Sequence, residues 1–158
     1  MLPVRLTALS PGLHPFDFTP SAADLDLDPE AFRDVHVDGH LDVAATRIVV
    51  HLTARAVIRL TCDRTLVEFD QAIEGRHLVV FTTDPDLADG SDDDLLLIPP
   101  DASVIDLAGP ARDTLLLAVP ARAVAPGAED VELPTQFGAE EIDPRWEGLL
   151  RLRGDDPS

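Results

Sequence analysis

Residues 47–63 read RIVVHLTARAVIRLTCD. The even positions Ile48, Val50, Leu52, Ala54, Ala56, Ile58, Leu60 and Cys62 are all apolar, while the odd positions are mostly polar: Arg47, His51, Thr53, Arg55, Arg59, Thr61 and Asp63, with Val49 and Val57 among them. Alternation with period two marks a strand with one covered face; a helix would spread both sets around its circumference. The run is long for a strand. It is therefore expected to be central, and curved or sharply bent. It ends at the only cysteine, which is followed by Asp63, Arg64 and Thr65.

Residues 34–44 alternate in the same way. Val35, Val37, Gly39, Leu41 and Val43 point one way, and Asp34, His36, Asp38, His40 and Asp42 the other. The apolar parity is odd here and even after residue 47. In an antiparallel pair, both apolar sets share a face only when facing residue numbers have an odd sum. Sums two units apart all meet that condition, so the register is not fixed; a tight connection at Ala45 and Thr46 gives one of them. It pairs Val43 with Ile48, Leu41 with Val50, Val37 with Ala54 and His40 with His51. Ala-Thr suits a primed two-residue turn poorly, so a longer loop with the same pairing is expected.

Further along, 66–81 reads as a strand or bent pair. A switch of apolar parity after Gly75 points to a bulge or turn there. Residues 84–94 form an acidic loop, and 95–98 a short apolar run stopped by Pro99 and Pro100. Residues 107–119 read as a helix with Pro110 in its first turn. Residues 121–142 are a connection without cysteines. Asp143 as N-cap and Pro144 at the first helical position open a second helix over 143–152. Upstream, 2–9 can form a first strand, and 11–28 is rich in Pro and Asp and reads as a surface loop. These readings make 1–158 a single α+β domain with an irregular segment at 1–33. It has a mainly antiparallel, strongly curved sheet and two short helices packed on it.

Composition narrows the function. The chain has 158 residues, 30 acidic and 12 basic, for a net charge of −18. All the basic residues are arginine. Self-repulsion of that size is relieved by salt, so an Asp-rich, lysine-free chain is halophile-like. A high-GC genome that favours arginine over lysine is the other source of such a composition. Either way the surface does not invite a phosphate backbone, and no DNA partner is expected. One cysteine excludes an intramolecular disulfide and a Cys-rich zinc site within the chain. No window reaches the length of a membrane span, and the opening residues carry no signal-peptide pattern. A cytoplasmic protein is expected.

Three groups could carry chemistry. Cys62 at the strand end faces the core by parity and reads as a small buried hydrophobe, with nothing nearby in sequence to depress its pKa. Arg64 beside it could tie the turn to a carboxylate. His40, His51 and Asp42 share the polar face and could hold a divalent ion, although solvated side chains on a strand are the blander reading. His36 lies about 13 Å from His40 along the strand and cannot join them. The acids Asp92, Asp93 and Asp94 lack the spaced ligands of an EF-hand loop. No phosphate loop, nucleophile elbow or nucleophile–base pair is present, so neither an enzyme nor a cofactor is expected.

CDRTL at 62–66 resembles the C-x-R-C-L motif of the YceD family, the large-subunit ribosomal RNA accumulation proteins. IDLAGPARDTLLLAVP at 105–120 and EEIDPRWEGLLRL at 140–152 resemble that family's later segments, in the same order. The resemblance runs over 34–152. It implies an accessory role in synthesis, processing or stability of large-subunit ribosomal RNA, without catalysis. Implied partners are ribosomal proteins or assembly factors, with direct rRNA contact requiring a local arginine patch. Arg47, Arg55, Arg59 and Arg64 are the candidates for such a patch. The family-motif positions carried over are Cys62, Arg64, Leu66, Asp143, Pro144, Arg145 and Trp146, with Leu66 and Trp146 expected to pack rather than make contacts. Many family members carry a second cysteine where this chain has Thr65, and some a further cysteine cluster before the D-P-R segment. Any metal site of those members is therefore expected to be missing here. The alternative class is a small-ligand or metal-binding β-domain using His40, His51 and Asp42.

Overall fold

In the computed structural model, residues 1–85 and 95–131 are described. They form seven strands and one α-helix: β1 (Pro3–Arg5), β2 (Gly12–Phe18), β3 (Phe32–Val43), β4 (Arg47–Thr61), β5 (Glu68–Thr82), β6 (Leu95–Leu97), β7 (Val104–Asp106) and α1 (Ala108–Leu117). Two 3-10 turns lie at Leu6–Ala8 and Ala22–Leu25. Strands β2-β3-β4-β5-β6 make one five-stranded sheet, antiparallel except for the β5–β6 edge, and β1 pairs with β7 in a second, two-stranded sheet.

The alternating stretch is the central strand. Its even residues Ile48, Val50, Leu52, Ala54, Ala56 and Ile58 are buried, as are Val35, Val37 and Leu41 of β3. Each buried aliphatic side chain of this kind stabilises by about 1.5–3 kcal/mol. The parity argument gives the observed register: Val43↔Ile48, Leu41↔Val50, His40↔His51 and Val37↔Ala54. The connection is the tight one, closed by the Ala44 N–H donating to the Arg47 carbonyl at 2.9 Å. Neither Ala45 nor Thr46 adopts a positive φ, so the turn is not primed, and the expected longer loop does not form. Contacts from β5 hold the turn instead. The Thr46 carbonyl accepts from the Thr83 N–H at 3.0 Å and from the Thr82 hydroxyl at 3.2 Å.

The α+β class holds in outline, but the strongly curved sheet with two helices does not. Among the described residues strand is the main element, and the sheet is not strongly curled. Strands β4 and β5 stay in register from Arg47↔Thr82 to Thr61↔Glu68 without a bulge. A long sheet curls sharply where bulges or glycine kinks interrupt it. The one register shift recorded lies between Arg33 and His36, where Asp34 takes a left-handed φ of 52°. Among the described residues α1 is the single α-helix; the helix expected over 143–152 lies outside them, as does most of the acidic loop at 84–94.

Two further expectations need correction. Residues 12–18, read as loop, are edge strand β2, where Pro15 is tolerated because an edge strand has a free side. The segment 1–33 thus supplies two strands. At Gly75 no parity switch occurs: Ile73, Val79 and Phe81 are buried on one face, and Leu78 is 44% exposed on the other. The glycine serves packing. Helix α1 crosses β4 and β5, and a Cβ at Gly75 would lie 2.6 Å from Thr114 Cγ2 and 2.7 Å from the Thr114 carbonyl oxygen. Ala54 faces Gly75 across the ladder, so two small residues seat the helix. Ala111 and Leu115 of α1, with Leu25, Ile105 and Leu107, close the core over the sheet.

Candidate functional site: the Cys62 turn and the arginine face

Strand β4 runs into a turn that returns as β5. The Cys62 N–H donates to the Val67 carbonyl and the Leu66 N–H to the Cys62 carbonyl, both at 2.9 Å. Closing the turn places Leu66 in the left-handed region, φ 57°. That conformation is uncommon for any residue but glycine, asparagine or aspartate.

Cys62 is fully buried, as parity predicts, but it is not an inert hydrophobe. The Ala125 N–H donates to its sulfur at 3.3 Å. The thiol pKa is lowered from 9.0 to about 7, first by the Ala125 N–H, then by the Thr65 hydroxyl, with the Thr65 and Arg64 N–H groups adding to them and burial opposing. Hydrogen bonds to the anion favour it, so the expectation of an undepressed thiol is overturned. The Thr65 hydroxyl thus serves the sulfur from within the turn.

The same turn grips the segment after α1. The Asp63 N–H donates to the Ala123 carbonyl, and the Ala123 N–H donates back to Asp63 Oδ2, both at 2.8 Å. The Arg64 guanidinium donates through Nη1 to the Val131 carbonyl at 3.0 Å, and among the described residues no carboxylate takes it. Sequence reasoning missed Asp63, Thr65 and Ala125. An acid directly after a strand-ending cysteine was the available signal, since Asp readily bonds nearby backbone N–H groups. Leu66 also departs from expectation: it is 78% exposed and does not pack. Asp143, Pro144, Arg145 and Trp146 lie outside the described residues.

The four candidate arginines do not form one patch. Arg47 opens β4 and Arg59 nearly closes it, about 40 Å apart at ~3.3 Å per residue. Arg64 belongs to the turn. Arg55 and Arg59 share the open sheet face with acids. Arg55 Nε lies 2.9 Å from Glu74, and its Nη1 meets Asp38. Asp70 takes Arg33 at 2.5 Å and Arg59 at 3.6 Å, and Arg76 reaches Glu74 at 3.0 Å. The Arg33 guanidinium holds the Asp70 carboxyl below its ordinary value, and Arg55 followed by Arg76 does the same for Glu74. Carboxylates thus occupy donors of Arg55 and Arg59 that phosphates would need.

The alternative ligand set does not converge either. His40 and His51 face each other across β3 and β4 with rings stacked, centroids 4.6 Å apart and 14° from parallel. The nitrogen lone pairs lie in the ring planes, so parallel rings aim them side by side and not at one ion. Asp42 is two residues from His40, facing Val49. Among the described residues no group of three or more His, Cys, Asp or Glu side chains could hold a metal ion. Nor does any helix among them have the length and apolarity to cross a membrane.

A family model described as large ribosomal RNA subunit accumulation protein YceD matches residues 50–153. That span is more than half of the chain, and it contains the Cys62 turn, β5 and α1. No curated protein and no solved structure matches.

Proposed function

The chain belongs to the YceD family, and from that premise we propose that it is a non-enzymatic accessory factor in large ribosomal subunit biogenesis, acting in the cytoplasm through protein partners. The observation that carries the reading is the family match over 50–153, whose printed description names large ribosomal RNA subunit accumulation. Two features of the site support the choice of mechanism. Its one thiol is enclosed and bonded to backbone groups and a hydroxyl, an arrangement that holds a turn and leaves no approach for a substrate. On its sheet face Arg33, Arg55, Arg59 and Arg76 are matched by Asp38, Asp70 and Glu74, so a charge of −18 meets basic proteins more readily than RNA.

The test has two arms. Tagged protein recovered from lysate at high salt should bring down large-subunit precursors or their proteins. Cells lacking the protein should show a lowered ratio of large-subunit to small-subunit ribosomal RNA. Recovery of neither component together with an unchanged ratio refutes the proposal.

A further inference from the structure

Two rows of side chains cross the open face of the five-stranded sheet. Pairing places Pro15, His40, His51 and Leu78 in one row over β2, β3, β4 and β5, and Asp17, Asp38, Thr53 and Arg76 in the next. All four members of the first row are exposed. Between the rows runs a trough of about 450 Å3, with His40, His51 and Leu78 on one side and Asp38, Thr53 and Arg76 on the other. The charges in its lining are balanced and engaged. Asp38 takes the Arg55 guanidinium, and Arg76 gives Nε and Nη2 to Glu74. The outlying Asp17 has His36 at 3.2 Å. The lining therefore offers neither an anion nor a cation an unpaired counter-charge, and an uncharged group suits it best. The rest of the lining suits a planar ring. The two imidazoles are stacked with centroids 4.6 Å apart, and Leu78 stands 44% exposed beside them. Such a stack accepts a further aromatic ring, while the Thr53 hydroxyl and the imidazole nitrogens can bond its polar edge.

We propose that this trough seats one aromatic side chain of a protein partner, a tryptophan or a tyrosine. The ring lies against the imidazole pair and Leu78, and its N–H or O–H bonds Thr53 or a ring nitrogen. Size limits the occupant to an anchor residue. Three strands at ~4.8 Å and one residue pair along them at ~3.4 Å per residue give a footprint of about 14 by 7 Å, far short of the roughly 800 Å2 that each partner buries in a whole interface. Single tryptophans and tyrosines seated in such recesses are the commonest anchors of protein contacts. A nucleobase would bring phosphates, and a second copy of this chain its own like charge; a net charge of −18 opposes both. The inference rests on the protein-partner reading above, for which it names the anchor.

The test uses the full chain and two labelled arginine–glycine peptides of equal charge, one with a central tryptophan and the other with serine in its place. At about 1 M salt, where charge steering is screened, the native protein should bind the tryptophan peptide about tenfold or more tightly. The ring signals of His40 and His51 should shift in the NMR spectrum as it binds. His14, whose Nε2 meets the Ser10 carbonyl at 2.7 Å, should not respond. His51→Ala and Leu78→Asn change exposed side chains, so both variants should stay folded, and each should abolish the preference. Equal binding of the two peptides by the native protein overturns the proposal, as does a preference that survives in both variants. Adenosine that shifts the two ring signals where the tryptophan peptide does not also overturns it, in favour of a nucleobase. So does a Trp146→Phe protein whose His40 and His51 signals move with no peptide added, because the ring would then come from the chain itself. Recovery of large-subunit components from lysate separates the two readings. If native protein and His51→Ala recover them equally and the peptides are not distinguished, the trough falls and the functional reading stands. If the peptides are distinguished through His51 and Leu78 and no such component is recovered, the functional reading falls and the trough stands.

Discussion

Replacing Gly75 by alanine tests why the sheet tolerates a glycine at its centre. The added Cβ would sit 2.6 Å from Thr114 Cγ2 and 2.7 Å from the Thr114 carbonyl oxygen. The methyl can turn aside, but the carbonyl is part of α1 and moves only with the helix. Overpacking of this kind costs about 1–3 kcal/mol. Removing a glycine from a strand returns about 0.5–1 kcal/mol of chain entropy. The net expectation is a loss of about 1–2 kcal/mol, or about 2–8 °C in melting temperature for a domain of this size. Thermal unfolding followed by circular dichroism measures it. Gly109→Ala is the comparison: apart from its chain neighbours and its own helix nothing lies within 4 Å of a Cβ there, so the change should be set only by a helix-propensity gain of up to about 1 kcal/mol and the opposing crowding of Pro110 on a helical residue before it. Thr114→Ser deletes Cγ2 and keeps the hydroxyl that donates to the Pro110 carbonyl at 2.7 Å. Combined with Gly75→Ala it should recover part of the loss, because the carbonyl contact remains. A Gly75→Ala protein that melts at or above the native temperature refutes the packing account and reopens a bulge at this position.

Titration of Cys62 should show a midpoint near 7 in the folded protein, against 9.0 for an ordinary thiol. A folded value below the unfolded one means that the thiolate's contribution to stability is fully present above about pH 9 and is lost as pH falls through about 7. The stability advantage of native protein over Cys62→Ser should therefore shrink between pH 9 and pH 6; a constant difference across that range counts against the hydrogen bonds described. With a charge of −18, raising salt from about 0.1 M to about 1 M shortens the screening length from ~10 to ~3 Å and should raise the melting temperature; no change would remove self-repulsion as a factor. The double substitution Asp70→Asn with Glu74→Gln frees Arg33, Arg59 and Arg76 from their carboxylates and leaves Arg55 with Asp38 alone. It should retain the protein on heparin at salt concentrations that elute the native form, and identical elution would show that those pairs do not mask the arginines.

The shared face of β3 and β4 was legible because parity is a strict constraint: two apolar sets of opposite parity meet only through an odd pairing sum. Several such sums stayed open in the sequence, and the tight connection at Ala45 and Thr46 settles which one forms. Helix α1 was legible because Pro110 and Pro120 bracket its apolar residues. Strand β2 was not. Proline in GLHPFDF argued for a loop, and only the edge position of the segment in the finished sheet makes Pro15 acceptable. The reason for Gly75 was also out of reach, since it lies in a helix about forty residues further on. Matching of the arginines was hidden for the same kind of reason. The partners sit on neighbouring strands, so Arg33 and Asp70 meet only once β3, β4 and β5 are in register. At the turn, the sequence showed a missing second cysteine but not what replaces it.

That replacement has a consequence for how the tip is anchored. In a turn with two cysteines, a metal ion can tie the strand end to a later segment, and structural zinc contributes on the order of 10–16 kcal/mol. Here the tie consists of hydrogen bonds: Ala125 N–H to Cys62 sulfur, the reciprocal pair between Asp63 and Ala123, and Arg64 to the Val131 carbonyl. Bonds of this type contribute about 0.5–1.5 kcal/mol each, so the anchor is several-fold weaker than an ion and is distributed over separate groups. Two outcomes follow. A strong chelator should leave the melting temperature unchanged if these hydrogen bonds make the tie. Asp63→Ala should lower stability by about 1–3 kcal/mol, the cost of leaving the part-buried Ala123 N–H without its acceptor. A chelator that lowers the melting temperature, or an Asp63→Ala protein as stable as the native one, would show that something other than these bonds holds the segment after α1 against the turn.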